Sequence, residues 1–118
     1  MNYKPIIIVA GEPFSIFIEI FFKALKKNKS KHPIILIVSK NLMLAQMKKL
    51  KIKHKFYLIN QDHFDLTKLS NNKTYVIDVS FPFKKPFEKI TNRTNNYISK
   101  CFHIASSLLK KNKCAGLI

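Results

Sequence analysis

Residues 6–25 read IIIVAGEPFSIFIEIFFKAL, and their reading decides the fold. Pro5 to Ala10 is a short β-branched run, the mark of a buried strand. Gly11-Glu12-Pro13 interrupts it, and Phe14 to about Lys27 follows as a helix dense in apolar residues. Pro13 falls near the first turn, where its missing N–H costs nothing. Lys26, Lys27 and Lys29 suit the carboxyl end of the helix dipole. Apolar residues surround most of this helix, so burial on several sides is expected. The stretch has the length of a membrane span, about 20 residues. However, Glu12, Pro13, Ser15 and Glu19 lie inside it, and carboxylates are costly in lipid. Strand, tight turn and buried helix are the reading that remains.

The same alternation continues to the end of the chain. Pro33–Val38 (PIILIV) is a second buried strand, and Ser39 is an N-cap for a helix from Lys40 to about Leu50. Leu42, Ala45, Met47 and Leu50 recur along it at near-helical spacing. Lys55–Asn60 is a third strand and Thr74–Val79 a fourth; Ser80–Glu88, with two Pro, is loop. Thr91–Lys111 is a strongly periodic helix whose apolar face is Tyr97, Ile98, Cys101, Ile104, Ala105, Leu108 and Leu109. CAGLI, at the end, is an apolar strand. Continuous apolar strands separated by helices predict an α/β fold, layered, with a mostly parallel sheet covered on both faces. The 118 residues make one domain at most. The chain stops inside an apolar strand at Leu117-Ile118, which reads as a chain cut short where ligand-binding loops begin.

The formal charge is +16, but 21 of the 22 basic residues are Lys, and Arg93 is the single Arg. Base-edge readers and phosphate clamps favour the bidentate fork of Arg. In the sequence the Lys are spread over the whole chain without an arm or stripe, so no specific nucleic-acid partner is expected. Weak, salt-dependent adhesion to polyanions is. Cys101 and Cys114 have neither C-x-x-C nor disulfide-framework spacing. They read as two reduced buried thiols in a cytoplasmic protein. Met1 to Ala10 is too short an apolar run for a signal peptide, and no membrane partner is expected.

Few residues offer chemistry. The Gly11-Glu12-Pro13 turn sits where a phosphate-gripping loop would, but G-x-G-x-x-G and G-K-[ST] are both absent. Glu12 brings negative charge to the anion position, and Pro13 removes a donor. The turn therefore reads as structural: Gly11 for tightness, Glu12 complementing the helix N-terminus, Pro13 presetting the first turn. Asp62, His63 and Asp65 are the only cluster of metal-ligand types, and a solvated loop is the reading for it. His103, among Phe102, Ile104 and Ala105, reads as a satisfied, partly buried His; His32 and His54, beside Lys, read as exposed. Asp78, late in the fourth strand, is the one carboxylate at a sheet end, suited to binding backbone or capping a loop. No pair of acids is arranged for proton transfer, and no nucleophile–base pair is present. The list of catalytic, cofactor and metal residues is therefore empty.

IIIVAGEPFSIFIEIFFKAL resembles the amino-terminal segment of the 4-hydroxythreonine-4-phosphate dehydrogenase family of vitamin B6 biosynthesis. Gly11, Glu12, Pro13, Ile16 and Glu19 match its strand–turn–helix pattern, whereas Ser15, Phe17 and Ile18 stand where the family has Gly, Gly and Pro. PIILIVSKNLMLAQMKKLKIK is similar in layout to the family's second strand and helix, and NNYISKCFHIASSLLKKNKCAGLI to the helix and strand that run into Thr-[Gly/Ala]-Pro and a Lys. The resemblance implies an isocitrate/isopropylmalate dehydrogenase-like fold and a homodimeric enzyme. Such an enzyme oxidises 4-phosphooxy-threonine with NAD and a divalent metal (zinc, magnesium or cobalt) held by three His. In that pattern the substrate, metal and cofactor residues all lie beyond position 118. Residues 1–118 are thus expected to be an amino-terminal portion, inactive alone, with an open sheet edge that limits solubility. A dehydrogenase of another phosphorylated hydroxy acid is the alternative within the fold. A non-enzymatic basic α/β module for polyanions is the alternative outside it.

Overall fold

Isoleucine, leucine and valine fill the central strands, so those strands must be buried on both sides, and they are. The computed structural model describes residues 3–28, 30–60, 62 and 64–118. Five strands, β1 (Ile6–Val9), β2 (Ile34–Val38), β3 (Tyr57–Leu58), β4 (Thr74–Asp78) and β5 (Gly116–Leu117), form one sheet in the order β3-β4-β2-β1-β5. Every pairing is parallel. Three helices cover the sheet: α1 (Phe17–Lys27), α2 (Lys40–Leu50) and α3 (Asn95–Leu109).

Successive side chains of a strand point to opposite faces, so one apolar run feeds two cores. Ile8, Leu36, Val38 and Val76 meet Ile18, Phe21 and Phe22 of α1 and Met43 and Met47 of α2. Ile7, Val9, Ile35, Ile37 and Ile77 meet Tyr97, Cys101, Ile104, Ala105 and Leu108 of α3 on the other face. Ile35, Leu36 and Ile37 have no exposed surface at all. Truncating any of them to Ala is expected to cost about 2–5 kcal/mol. The layered, parallel α/β architecture is the one the sequence indicates. No helix among the described residues is long and apolar enough to cross a membrane.

Ser39 caps α2 as expected: its Oγ accepts from the Leu42 N–H at 3.3 Å, and the helix runs from Lys40 to Leu50. Four expectations change. Helix α1 starts at Phe17 rather than Phe14, because the backbone of 12–15 closes on itself first: the Ser15 N–H donates to the Glu12 carbonyl at 3.2 Å. Pro13 therefore precedes the helix instead of sitting in its first turn. Helix α1 buries one face only, since Ile20 within it is 56% exposed, and Ile16 just before it is 63% exposed. Strand β3 has two exposed residues where six were expected, because it pairs with β4 alone and has no layer over it. Before α3 stands a 3₁₀ turn, Asn92–Thr94, capped by Thr91. Lys29, assigned above to the end of α1, lies outside the described residues.

Candidate functional site

In a parallel α/β sheet the carboxyl ends of the strands gather the turns that hold ligands. Here β1 leads through Ala10 into Gly11, whose φ of 73° is open to glycine without a Cβ penalty. That bend leads into Glu12, whose carboxylate reaches both the following turn and the residue before α3. One Glu12 oxygen accepts from the Phe14 N–H at 3.3 Å, and the other accepts from the Thr94 hydroxyl at 2.9 Å. Glu12 thus ties the turn to the start of α3, and the Ser15 hydroxyl, not Glu12, accepts the Phe17 N–H at the head of α1. Gln46 completes the fastening. It is 1% exposed, and its Nε2 donates to the Pro13 carbonyl at 2.7 Å and to the Pro86 carbonyl at 2.9 Å. One buried amide of α2 therefore holds both the Gly-Glu-Pro turn and the 80–88 loop.

The ends of β2 and β4 are closed in the same way. Asp78 accepts from the Lys40 N–H at 2.8 Å, so it binds the backbone at the head of α2, as read from the sequence. The Tyr97 hydroxyl accepts from the Ser39 N–H at 2.7 Å. Burial pushes that phenol well above its ordinary value. Burial also pushes the Cys101 thiol up to about 11.

Beside Tyr97 lies a shallow hollow of about 340 Å³, lined by Ser80, Phe81, Arg93, Asn96 and Lys100 among others. The Arg93 guanidinium stands 5.7 Å and 5.6 Å from the ring centres of Phe14 and Phe81, and it pairs with Glu88 at 2.8 Å. Glu88 also accepts from the Lys84 N–H at 2.6 Å and the Lys85 N–H at 3.0 Å. The backbone amides of Lys85 and Lys84, with Arg93 nearby, hold its carboxyl below the usual range. Arg93 is engaged in organising the loop.

The remaining candidates do not converge. Asp65 caps the 3₁₀ turn Leu66–Lys68: it accepts from the Thr67 hydroxyl at 2.6 Å and the Thr67 N–H at 2.9 Å, which lowers its carboxyl. Asp62 is exposed, and His63 lies outside the described residues. His103, expected to be partly buried, is exposed, because it falls on the outer side of α3. His32, expected to be exposed, is half-buried with Nδ1 2.6 Å from the Lys4 carbonyl, to which it must donate. His54 remains exposed by area, but its ring packs 5.1 Å from that of Phe22 and burial lowers its pKa. Cys101 is buried; Cys114 is half-buried rather than buried; both are free thiols. Among the described residues no three His, Cys, Asp or Glu stand close enough to share a metal.

The residues at the sheet end do not fit NAD or a metal. The turn offers a carboxylate and a proline where a pyrophosphate needs free N–H groups. The head of α2 is already occupied by Ser39 and Asp78. What the arrangement does chemically is hold a turn, a loop and a helix start in one geometry. Sequence reasoning missed Gln46 and Thr94. Gln46 carried a signal: a polar residue between Met43 and Met47, inside the buried stripe of α2.

The architecture is an α/β one, a parallel five-stranded sheet with helices on both faces, and solved structures of known proteins share it. A Salmonella typhimurium protein given as a 4-hydroxythreonine-4-phosphate dehydrogenase superposes with a TM-score of 0.71 at 19% identity, over 98% of this chain and 36% of that one. The 4-hydroxythreonine-4-phosphate dehydrogenase of Klebsiella pneumoniae superposes with a TM-score of 0.68 at 22% identity, over the same shares. The chain spans about a third of the length of these proteins, and at such identity the likeness fixes the fold. No protein-family profile matches the chain, and no curated protein matches it by sequence.

Proposed function

We propose that the chain is the amino-terminal sheet layer of a dehydrogenase that oxidises a phosphorylated hydroxy amino acid, 4-phosphooxy-threonine. The carrying observation is the Gly11-Glu12-Pro13 turn, fixed to α3 through Thr94 and to α2 through Gln46, in a sheet whose likeness to two such enzymes extends over 98% of this chain. In this reading NAD and a divalent metal supply hydride acceptance and polarisation of the substrate hydroxyl. Neither is held by the residues described above. The contribution of this chain is a rigid platform at the carboxyl ends of β1, β2 and β4. Association into a homodimer and residence in the cytoplasm belong to the same reading.

The test is to read the source DNA past the Ile118 codon and to assay the product of the frame found there. The expected frame continues into Thr-x-Pro, a Lys, a His-Thr segment and spaced His residues. Its product reduces NAD in the presence of 4-phosphooxy-threonine and a divalent metal, and EDTA abolishes the reaction. A frame that stops at once, or one that lacks those segments, overturns the proposal. A product that reduces NAD only with another phosphorylated hydroxy acid would keep the class and change the substrate.

A further inference from the structure

A cavity of about 910 Å³ lies at the opposite end of the sheet from the Gly-Glu-Pro turn. Its floor is apolar, formed by Phe22 and Leu25 of α1, Ile34 at the start of β2, and Ile52 after α2. Its walls carry Lys23, Lys26, Lys31, Lys51, Lys53 and Lys73. These lysines come from four separate segments of the chain, and the fold brings them to one concavity. The even scatter of Lys in the sequence is therefore not even in space.

Among the described residues no Asp or Glu lines this cleft. Among the described residues that line it, Lys23 alone has an acidic partner, Glu19, at 2.9 Å on an exposed stretch of α1. Lys26 and Lys51 stand at the carboxyl ends of α1 and α2, where they also complement the helix dipoles. Lys31, Lys53 and Lys73 stand on loops, with no helix end to serve. Lys73 also lies over the Tyr57 ring, its Nζ 5.1 Å from the ring centre. Like charges gathered in a concave site repel one another unless an anion lies among them, and low-dielectric walls strengthen the field there.

We propose that this cleft binds a compact oligophosphate, the shared chemistry of an inorganic polyphosphate and of the phosphate tail of a nucleoside triphosphate. Its volume is within the range of small-molecule sites, about 300–1,000 Å³, not that of an extended track. Single-stranded nucleic acid needs exposed aromatic faces on which bases stack. Among the described residues the cleft offers no exposed Phe, Tyr or Trp face: Phe22 is 3% exposed, and the cleft's two imidazoles, His32 and His54, lie against the rings of Tyr3 and Phe22. Lysines act as compact point charges, which suits dense phosphate charge and needs no base-edge geometry. The site is separate from the dehydrogenase reading and stands or falls without it.

The test is isothermal titration of the 118-residue chain with tripolyphosphate, ATP, adenosine, inorganic phosphate and a short oligothymidylate, at about 50 mM and about 200 mM salt. Two variants accompany it: K31Q/K53Q/K73Q in the cleft, and K100Q/K110Q/K111Q on and just after α3, which removes the same charge elsewhere. Tripolyphosphate is expected to bind, phosphate to bind far more weakly, and adenosine not at all. The cleft variant is expected to lose about tenfold in affinity and to flatten the salt dependence, with the α3 variant within about twofold of the parent. ATP equal to tripolyphosphate identifies the phosphate tail as the whole determinant, and ATP markedly tighter adds a nucleoside contact; both uphold the site. Equal losses in the two variants would show that net charge alone attracts the anion, and the site would be refuted. Tighter binding of the oligothymidylate than of tripolyphosphate, or no binding of tripolyphosphate at about 1 mM, also refutes it.

Discussion

Glu12 accepts a hydrogen bond from the hydroxyl of Thr94 at 2.9 Å, joining the first turn of the chain to the residue before α3. The two are far apart in sequence, and neither Ser15 nor any residue of α1 takes this role. If the bond contributes to stability, the two side chains must be energetically coupled. Glu12→Gln and Thr94→Val are each expected to cost about 1–2 kcal/mol, with a coupling of about 1 kcal/mol in a double-mutant cycle read by urea unfolding. Strict additivity would mean that the bond is geometrically present and energetically idle.

Gln46 is the single amide that serves both the Pro13 and Pro86 carbonyls. Gln46→Met keeps the volume but leaves those carbonyls without their donor. A loss of about 1–3 kcal/mol is expected, together with faster limited tryptic cleavage after Lys84. Unchanged proteolysis would show that the loop is held by Glu88 and Arg93 alone.

Gly11 has φ of 73°, and a Cβ built on it meets nothing within 4 Å. The cost of a side chain here is therefore purely conformational. Gly11→Ala is expected to lose about 1 kcal/mol, and Gly11→Asn less, because Asn tolerates the left-handed region. Equal losses in denaturation would point to a contact rather than to backbone preference.

Acid should unfold the protein in stages. Burial lowers the pKa of His54 from 6.5; Thr67 lowers that of Asp65 from 3.8; the amides of Lys85 and Lys84 lower that of Glu88 from 4.5. In each case the folded form holds its proton less tightly than the unfolded chain. The stability conferred is therefore complete above the ordinary value and is lost as pH falls through the lowered one. His54→Gln is expected to flatten the fall of the denaturation midpoint that begins below 6.5, while the decline at more acid pH remains. An unchanged profile would remove His54 from the account.

The alkaline limb has the opposite sign. Cys101 titrates near 11 in the folded state, against an ordinary 9.0, because it is buried. Its contribution is complete below 9.0 and is lost as pH rises towards 11. Native protein treated with iodoacetamide at mildly alkaline pH should label at Cys114 first, with Cys101 following the rate of global unfolding. Rapid native labelling of Cys101 would contradict its burial.

The sequence carried most of the architecture, because the features that build it are local. Ser39 as a cap, the bounds of α2, and the Tyr97–Leu108 face of α3 depend on residues three or four apart. The parallel sheet follows from runs such as IILIV, in which both faces are apolar. What was hidden depends on distance through space. Glu12 was read with its nearest helix, yet its side-chain partner, Thr94, stands just before α3. β3 was read from its composition, but an edge strand is as long as its one neighbour allows. The lysine cleft could not be read at all, since its residues share no segment. Asp78 was legible because a carboxylate at a strand end has few backbone donors within reach, and Lys40 supplies one.

β1 lies between β2 and β5, and Ile6 pairs on one side with Ile34 and on the other with Gly116. Its first neighbour is made soon after it, and its second only when nearly all of the 118 residues have been polymerised. At ribosomal rates of about 5–20 residues per second, one side of β1 waits roughly ten seconds for its partner. During that interval the growing polypeptide offers an unpaired strand rich in isoleucine to whatever else is nearby. A factor that shields nascent chains should therefore raise the yield of this protein more than a slower thaw or a milder lysis.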